Sequence, residues 1–278
     1  MHRAKKSLGQ NFLKSEVALK KIVEAGEIKK GDIILEIGPG RGALTEKLLA
    51  TSYQLIAVEK DHELFEFLKI KFEKEIAEKK LILINDDILK FDPLLISPLA
   101  GGENTPTTRG ARRVNYKIIA NIPYNITGAI LKKFLTAGHQ PERMVLMVQH
   151  EVAKRIVGRG SNPSTPLRVK ESILSISVKA YGEPKMIMKV PARYFSPAPK
   201  VDSAIVAIRN ISRKTFKENN IDEKRFWKIV KTGFAHKRKK LSSNLKALKL
   251  EKTDLLEKLG NKRAEDLILT DWIMLAKN

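Results

Sequence analysis

The chain has 278 residues, 42% of them hydrophobic, and a formal net charge of +22. This length and apolar content allow one large domain, or a large and a small one, with a full buried core. The absence of cysteine excludes disulfides, thiolate nucleophiles and cysteine-based zinc sites, and permits a reducing compartment. No apolar run approaches the roughly 18 to 20 residues of a membrane helix, and residues 1–6 do not lead into a signal-peptide core. We therefore expect a soluble, cytoplasmic protein.

The positive charge lies almost entirely in the later part of the chain. Residues 1–100 contain 17 Lys/Arg and 16 Asp/Glu, whereas residues 101–278 contain 36 and 15. An excess of this size and position more often marks a polyanion-binding surface than a merely well-solvated one. Nucleic acid is the expected partner, and an anionic membrane is less favoured because no basic amphipathic helix with a clean apolar face is evident.

β-rich runs alternate with helical patterns along much of the sequence. The β-rich runs occupy residues 33–37, 55–59, 81–84, 116–120, 144–149, 173–181 and 203–209. Apolar residues at helical spacing separate the first five runs, which predicts a parallel sheet covered on both faces. A proline-rich loop without an obvious helix joins the last two runs, so we expect at least one of them to be antiparallel.

The end of the chain is predicted to be helical. From residue 221 onward, apolar residues recur with helical periodicity. We therefore predict a large α/β domain over residues 1–210 and a small helical domain over residues 211–278. Residues 97–113 and 158–166 are predicted to be irregular loops, because they are polar or rich in glycine and proline.

A glycine-rich loop follows the first predicted strand. Gly38, Gly40 and Gly42 stand where the strand ends and a helix begins, and glycines there permit a tight turn and close approach of a ligand to the backbone. A strand-to-helix turn without a ligand is the alternative for such a loop taken alone. The Gly-x-Gly-x-Gly spacing, with Glu36 just before it, differs from the dinucleotide fingerprint and fits S-adenosylmethionine better than NAD.

Two acidic residues strengthen the prediction of a nucleoside site. Glu59 stands 21 residues after Gly38 at the end of the next predicted strand, where a carboxylate can accept both hydroxyls of a ribose. Asp87 follows the third strand and could accept the amino group of an adenine ring. The alternative for both residues is an ordinary solvated acid at a strand end, and for Asp87 taken alone this alternative carries nearly equal weight.

The sequence Asn121-Ile122-Pro123-Tyr124 directly follows the predicted strand at residues 116–120. An amide acceptor, a rigid turn and an aromatic face at the end of a buried strand suit the binding of a flat base that carries an amine. Together with the glycine loop, this motif suggests methylation of a base amine.

Six motifs of the chain occur in the order seen in one enzyme family. They are Lys6-Ser7-Leu8-Gly9-Gln10-Asn11-Phe12-Leu13, the glycine loop, Val58-Glu59-Lys60-Asp61, Asn121-Ile122-Pro123-Tyr124-Asn125-Ile126, Met147-Val148-Gln149-His150-Glu151-Val152-Ala153 and Phe195-Ser196-Pro197-Ala198-Pro199-Lys200-Val201-Asp202-Ser203. Over residues 5–203 the chain resembles the ribosomal RNA adenine dimethyltransferases, in particular the KsgA-type enzymes of the small subunit.

The resemblance implies a fold, an activity and a set of partners. The fold is an α/β, Rossmann-like sheet of the class I S-adenosylmethionine-dependent methyltransferases with a small C-terminal helical domain. The activity is dimethylation of the exocyclic amines of two adjacent adenosines near the 3′ end of small-subunit (16S) ribosomal RNA, with a role in ribosome biogenesis. The cofactor is S-adenosyl-L-methionine without a metal. The expected partner is this RNA or the immature 30S particle, bound by a monomer, since nothing requires a partner chain.

The resemblance also leaves alternatives open. Erm-type methyltransferases of large-subunit RNA share the glycine loop and the Asn-Ile-Pro-Tyr motif, although Leu8, Gly9 and Asp202 match the small-subunit group better. A ribosome-assembly factor with secondary catalysis is a third possibility, and a DNA amino-methyltransferase is disfavoured by residues 199–203. The family usually has a Tyr-Gly pair shortly before its sixth strand, where this chain reads Arg168-Val169-Lys170-Glu171-Ser172. This departure concerns loop contacts to RNA rather than the methyl-transfer centre.

The resemblance assigns roles to individual residues. The implied cofactor-binding residues are Asn11, Leu13, Gly38, Gly40, Glu59, Asp87 and Asn121. The side-chain oxygen of Asn121 and a nearby backbone carbonyl would accept hydrogen bonds from the adenine amine and free its lone pair for in-line attack on the sulfonium methyl. Tyr124 and Phe195 would complete the catalytic set by clamping the flipped base. For Phe195, a plug against the core is the alternative.

A basic run in the later part of the chain is the predicted RNA contact. Residues 200–249 contain fifteen Lys/Arg and four Asp/Glu, and Lys237, Arg238, Lys239 and Lys240 form the densest cluster. A solvated helix end is the alternative for this run taken alone. Beside the other motifs, we favour contacts with RNA phosphates.

Overall fold

The computed structural model describes residues 4–5, 8–51, 54–96, 114–158, 170–248 and 254–277. The predicted loop at residues 97–113 lies outside this set, as do all but the first residue of the loop at 158–166. The first two residues of the N-terminal motif, at positions 6 and 7, and positions 168 and 169 also lie outside it. No helix among the described residues combines the length and apolar character that crossing a membrane requires.

The chain forms two compact units. The first unit comprises Met1–Ala153 and Lys185–Ile211, and the second comprises Lys154–Pro184 and Ser212–Asn278. The predicted boundary at residue 210 lies next to the end of the first unit. However, Lys154–Pro184 groups with the C-terminal helices, although it falls inside the range predicted for the large domain.

The strands are β1 Phe12–Leu13, β2 Ile33–Ile37, β3 Gln54–Glu59, β4 Leu81–Asn85, β5 Tyr116–Asn121, β6 Arg143–Gln149, β7 Glu183–Val190, β8 Phe195–Ser196 and β9 Ser203–Arg209. The α-helices are α1 Glu16–Gly26, α2 Ala43–Leu49, α3 His62–Lys71, α4 Glu73–Ala77, α5 Thr127–Leu135, α6 His150–Val157, α7 Ile173–Lys179, α8 Lys214–Glu218, α9 Glu223–Gly233, α10 Leu241–Leu245, α11 Asp254–Gly260 and α12 Leu269–Lys277.

The described strands form a seven-stranded sheet in the order β4-β3-β2-β5-β6-β9-β7 and a two-stranded sheet of β1 and β8. Strands β2 to β6 are parallel to one another, whereas β9 pairs antiparallel with β6. Every residue of β2 is buried, as expected for a central strand covered on both faces. The predictions of a parallel sheet and of an antiparallel strand near its end are both confirmed.

One predicted strand was wrong, because residues 173–179 form helix α7. The β-branched residues of this segment favour a strand by propensity. A capping box overrides that preference: the Ser172 side chain accepts from the Ser175 backbone N–H, and the Ser175 hydroxyl accepts from the Ser172 N–H. Ile176 and Val178 are then fully buried.

Strand β7 lies in the segment that was expected to be a proline-rich loop. Its sequence includes Pro184 and two lysines, which interrupt a β-rich pattern. The strand occupies an edge of the seven-stranded sheet, where a residue without a backbone N–H can be tolerated. The missing pattern therefore reflects the edge position of the strand.

Candidate active site

Parallel strands place their carboxyl ends at one edge of a sheet, and in the first unit this edge borders a cavity. The cavity has a volume of about 390 Å³. Its walls come from residues 8–14, from the segments that follow β2, β3 and β4, and from residues 121–126. This position, outside the carboxyl ends of the strands, is where α/β sheets bind their ligands.

The glycine loop forms one wall of the cavity and depends on glycine for its conformation. Gly38 and Gly40 have φ angles of 65° and 62°, which side chains with a Cβ rarely adopt. A Cβ on Gly40 would also lie 3.1 Å from the ring of Phe12. Phe12 also lines the cavity, and the guanidinium of Arg41 lies over its ring, 4.4 Å from the ring centroid. Loop and N-terminal segment thus pack directly on each other.

Glu59 ends β3 with its carboxylate directed into a network of backbone donors. Its two oxygens accept from the N–H groups of Gly40 at 3.0 Å and of Asp61 at 2.9 Å. Burial raises the pKa of Glu59, and these hydrogen bonds partly oppose the shift. A carboxylate has about four acceptor positions, so Glu59 retains acceptor capacity for a ribose hydroxyl beside the backbone N–H groups of Gly40, Asp61 and Lys60. The acceptor groups of Glu59 therefore fit the predicted nucleoside.

A second buried carboxylate, Glu36 in β2, received no role from the sequence. It is 1% exposed, lines the same cavity and accepts from the Thr45 hydroxyl at 2.8 Å. Burial raises its pKa to about 8, and the charge of Glu59 adds to the shift. The sequence did contain a signal for the importance of Glu36, because it is the one acidic residue of the apolar strand β2.

Asp87 lies beyond the end of β4, also on the cavity wall. Its carboxylate accepts from the Lys60 ammonium at 2.8 Å and from the Leu89 backbone N–H at 2.9 Å. The hydrogen bond from Lys60 is the main cause that lowers the pKa of Asp87. The residue is therefore an oriented, ionised acceptor, and its remaining acceptor positions could receive an adenine amine.

Asn121 ends β5 and has a fixed amide orientation. Its Nδ2 donates to the backbone carbonyl of Asn11 at 3.1 Å. A carbonyl can only accept, so the opposite orientation would set two oxygens against each other. Among the described residues, no donor binds the Asn121 Oδ1. Because Asn121 lines the cavity, it can offer this oxygen to an amine donor there.

Tyr124 begins the turn that follows Asn121, and its hydroxyl is anchored. The phenol oxygen lies 2.5 Å from the Ser203 Oγ at the start of β9. Burial raises the pKa of Tyr124, so the phenol stays neutral at ordinary pH. Tyr124 lines the cavity with its ring held in place from the hydroxyl end.

Phe195 lies in the core of the first unit rather than on the wall of the described cavity. It is 2% exposed and belongs to the apolar core of the first unit, and it is absent from the residues that line the described cavity. The reason is the register of the small sheet, in which β8 places Phe195 opposite Leu13 of β1. This geometry favours the core plug over the clamp for Phe195.

Of the predicted cofactor residues, the cavity brings together Asn11, Leu13, Gly38, Gly40, Glu59, Asp87 and Asn121. These residues come from five separate parts of the sequence. Their convergence is a property of the parallel sheet, since each group follows a strand or packs beside one. Among the described residues, no three His, Asp or Glu side chains are grouped as metal ligands.

The predicted RNA contacts lie in the second unit, on the segment between α9 and α10 that we name the basic loop (residues 236–240). All five of its residues are exposed. The Asn244 Nδ2 donates to the carbonyls of Gly233 at 2.6 Å and His236 at 3.1 Å, which fixes the start of the loop. Within the described part of the chain, no carboxylate pairs with Lys237, Arg238, Lys239 or Lys240.

Comparisons with known proteins agree with the motifs. The family model described as ribosomal RNA adenine dimethylase matches residues 1–277. A protein of Dehalococcoides mccartyi named ribosomal RNA small subunit methyltransferase A is 39% identical over 277 residues, which cover 97% of this chain and 86% of that protein.

Two solved structures share the fold. A dimethyladenosine transferase from Plasmodium falciparum is 25% identical, with a TM-score of 0.71 and coverage of 95% of both chains. The 23S rRNA methyltransferase ErmE is 23% identical, with a TM-score of 0.69 over 96% of this chain and 98% of that one, and shows the fold alone. The resemblance inferred from six motifs is confirmed: the chain belongs to the ribosomal RNA adenine dimethylase family.

Proposed function

We propose that this protein uses S-adenosyl-L-methionine to dimethylate the exocyclic amines of two adjacent adenosines near the 3′ end of small-subunit ribosomal RNA. The observation that carries the proposal is the orientation of Asn121, whose Oδ1 has no donor among the described residues while its Nδ2 is bound to Asn11. An acceptor of this kind suits an incoming amine rather than an incoming carbonyl.

The cavity supports S-adenosylmethionine as the cofactor. Its volume of about 390 Å³ lies within the range of small-molecule sites. Glu59 offers an acceptor for a ribose hydroxyl, Asp87 offers one for an adenine amine, and the positive-φ glycines expose backbone to the ligand. When bound, the cofactor supplies an electrophilic methyl group on a positively charged sulfur.

The protein's own contribution is then to align and polarise the adenine amine. The Asn121 Oδ1 accepts a hydrogen bond from that amine, which draws electron density onto the nitrogen and favours a tetrahedral geometry. Because the amide is already held by Asn11, little reorganisation is needed when the base arrives. The proton lost from nitrogen can pass to solvent.

Tyr124 is the proposed platform for the base. An adenine must leave its stack to enter an enclosed site, and an aromatic face recovers about 1 to 3 kcal/mol per stacked base. The hydrogen bond between the Tyr124 hydroxyl and Ser203 limits rotation of the ring before the base binds. Tyr124 thereby reduces the ordering cost of a productive complex.

The second unit is the proposed RNA-contacting part of the molecule. The exposed cations of the basic loop can neutralise phosphates without reading base identity. Immature 30S particles are the proposed physiological substrate, bound by one copy of the protein. The small-subunit name of the Dehalococcoides relative, together with Leu8, Gly9 and Asp202, favours this RNA over the large-subunit RNA.

One experiment separates the competing functions. The protein is incubated with methyl-labelled S-adenosylmethionine and, separately, with small and large ribosomal subunits that lack adenine dimethylation. We expect label to enter small-subunit RNA as dimethyladenosine. Label in large-subunit RNA would support an Erm-type enzyme instead, and binding of either particle without label transfer would support an assembly factor.

A further inference from the structure

The N-terminal segment forms a wall of the cavity, and we name its residues 8–14 the strap. All seven strap residues line the cavity. The strap also supplies the carbonyl of Asn11 that holds the amide of Asn121. Any displacement of the strap would therefore alter the orientation of the proposed amine acceptor.

Asp61, which lies two residues after the end of β3, holds the N-terminal region in place through hydrogen bonds. Its side chain is 1% exposed. One carboxylate oxygen accepts from the Lys5 ammonium at 2.8 Å, and the other accepts from the Gln10 side-chain amide at 2.7 Å. The Gln10 side-chain oxygen in turn accepts from the Lys5 backbone N–H at 2.8 Å. Two residues of the N-terminal region thus converge on one buried carboxylate.

Asp61 also touches the opposite end of the site. Its backbone N–H donates to the Glu59 carboxylate at 2.9 Å. Burial opposes ionisation of Asp61, but the hydrogen bonds from Lys5 and Gln10 outweigh it, and the pKa of Asp61 is lowered. The residue is therefore an anion held between the strap and the acceptor proposed for the ribose.

We propose that Asp61 is a positioning residue that latches the strap over the cavity and so holds Asn121 and Glu59 in their productive orientations. The inference rests on the proposed function. Asp61 acts through two routes: through Gln10 and the neighbouring Asn11 to the Asn121 amide, and through its own backbone to Glu59. It touches neither the reacting amine nor the methyl group.

A simpler role for Asp61 is to cap helix α3. Its side chain accepts from the Glu63 backbone N–H at 3.2 Å, the usual contact of an N-cap residue. Asparagine caps helices about as well as aspartate. The substitution Asp61→Asn therefore keeps the cap while it removes the negative charge and one of the two acceptors that hold the strap.

The test uses four variants of the full chain: Asp61→Asn, Gln10→Ala, both together, and Glu63→Gln. Glu63 is the matched control, because its carboxylate binds the same Lys5 ammonium at 2.9 Å but its side chain is 66% exposed. Amide hydrogen exchange of the strap is measured without cofactor. kcat and the KM for S-adenosylmethionine are then measured with small-subunit RNA as methyl acceptor, and thermal midpoints are recorded.

We expect Asp61→Asn to speed exchange of the strap and to lower kcat, each by about tenfold, because charge-assisted hydrogen bonds are the strong ones. Gln10→Ala should give a smaller change of the same kind. The double variant should match Asp61→Asn within about twofold, since both residues serve one contact. Glu63→Gln should resemble the wild type, and thermal midpoints should barely move.

Unchanged exchange of the strap in Asp61→Asn would overturn the latch. Faster exchange with an unaltered kcat would overturn the positioning role, and a loss of activity matched by a lower thermal midpoint would assign Asp61 to the helix cap. A wild-type protein that methylates no ribosomal RNA would overturn the proposed function alone. In that case, exchange of the strap and binding of S-adenosylmethionine by the four variants decide the latch separately.

Discussion

The cavity of the first unit and the basic loop of the second unit use polar residues in opposite ways. Around the cavity, Glu36 and Glu59 are 1% and 6% exposed, and hydrogen bonds fix their oxygens. In the basic loop, residues 236–240 are all exposed. The backbone carbonyl of His236 accepts from Asn244, and the Lys240 ammonium donates to the Asn261 side chain at 3.0 Å.

This difference has a physical consequence for function. A buried polar group costs free energy unless its partners are in place, so it is tied to one geometry and can act on a specific atom. An exposed cation acts mainly through its charge, is screened by salt and contributes gradually. Substitutions at the cavity should therefore abolish a step, whereas substitutions in the basic loop should change an affinity.

The substitution Asn121→Ala gives the strongest test of the difference between the cavity and the basic loop. We expect kcat to fall by a factor on the order of 10² to 10³, as when an oriented polar group is removed from an active site, while S-adenosylmethionine still binds. Single-turnover transfer of labelled methyl and calorimetry measure the two quantities. Asn219→Ala is the control, because it also removes an amide that donates to a carbonyl, that of Thr215 at 2.8 Å. A rate near that of the wild type would contradict the role of Asn121.

The counterpart in the basic loop is replacement of Lys237, Arg238, Lys239 and Lys240 by glutamine. Each lost phosphate contact should reduce the slope of log K against log salt by about 0.7 to 0.9, so RNA affinity should fall most at low salt. Cofactor binding should stay the same. A matched set of exposed lysines in the first unit, Lys29, Lys30, Lys74 and Lys79, should leave the slope unaltered when replaced. An unchanged slope in the loop variant would argue against phosphate contacts.

Two substitutions at Tyr124 separate the contribution of its ring to methylation from that of its hydroxyl. Tyr124→Ala should reduce methylation by about 10- to 100-fold, because a stacked base contributes about 1 to 3 kcal/mol, with cofactor affinity nearly unchanged. Tyr124→Phe keeps the ring and loses only the contact with Ser203, so its loss should be smaller. Rates of dimethylation at saturating cofactor measure both. If Tyr124→Ala dimethylates at the wild-type rate, the platform is refuted.

The mildest test concerns pH and the buried Glu36. The folded protein keeps this proton until about pH 8, whereas the unfolded chain loses it near the ordinary value of 4.5. Unfolding between these values releases a proton, so stability should fall as pH rises, by up to about 1.4 kcal/mol per pH unit. Glu36→Gln removes this dependence and keeps an acceptor for Thr45. Urea unfolding of both proteins from pH 5 to 8 measures it, and parallel curves would contradict the raised pKa.

Much of the fold followed from local patterns. Six of the seven predicted strands were found, because alternation of buried β-rich runs with helical spacing reports local geometry directly. The strand prediction for residues 173–181 was wrong, because a side-chain cap at Ser172 stabilises a helix there despite the β propensity of the segment. The sequence did not predict strand β7, because a strand at the edge of a sheet needs a less regular apolar pattern, and that pattern is what the prediction uses.

The sequence by itself determined the family, the order of its motifs and the strand ends that carry Gly38, Glu59 and Asn121, since these depend on residue type and on position along the chain. Only the tertiary structure decided which way the Asn121 amide points, that Phe195 packs in the core, and that Asp61 receives Lys5 and Gln10. These outcomes depend on contacts between residues far apart in sequence, such as the 110 positions between Asn11 and Asn121. Local periodicity carries no information about such pairs, because folding alone brings their donors and acceptors together.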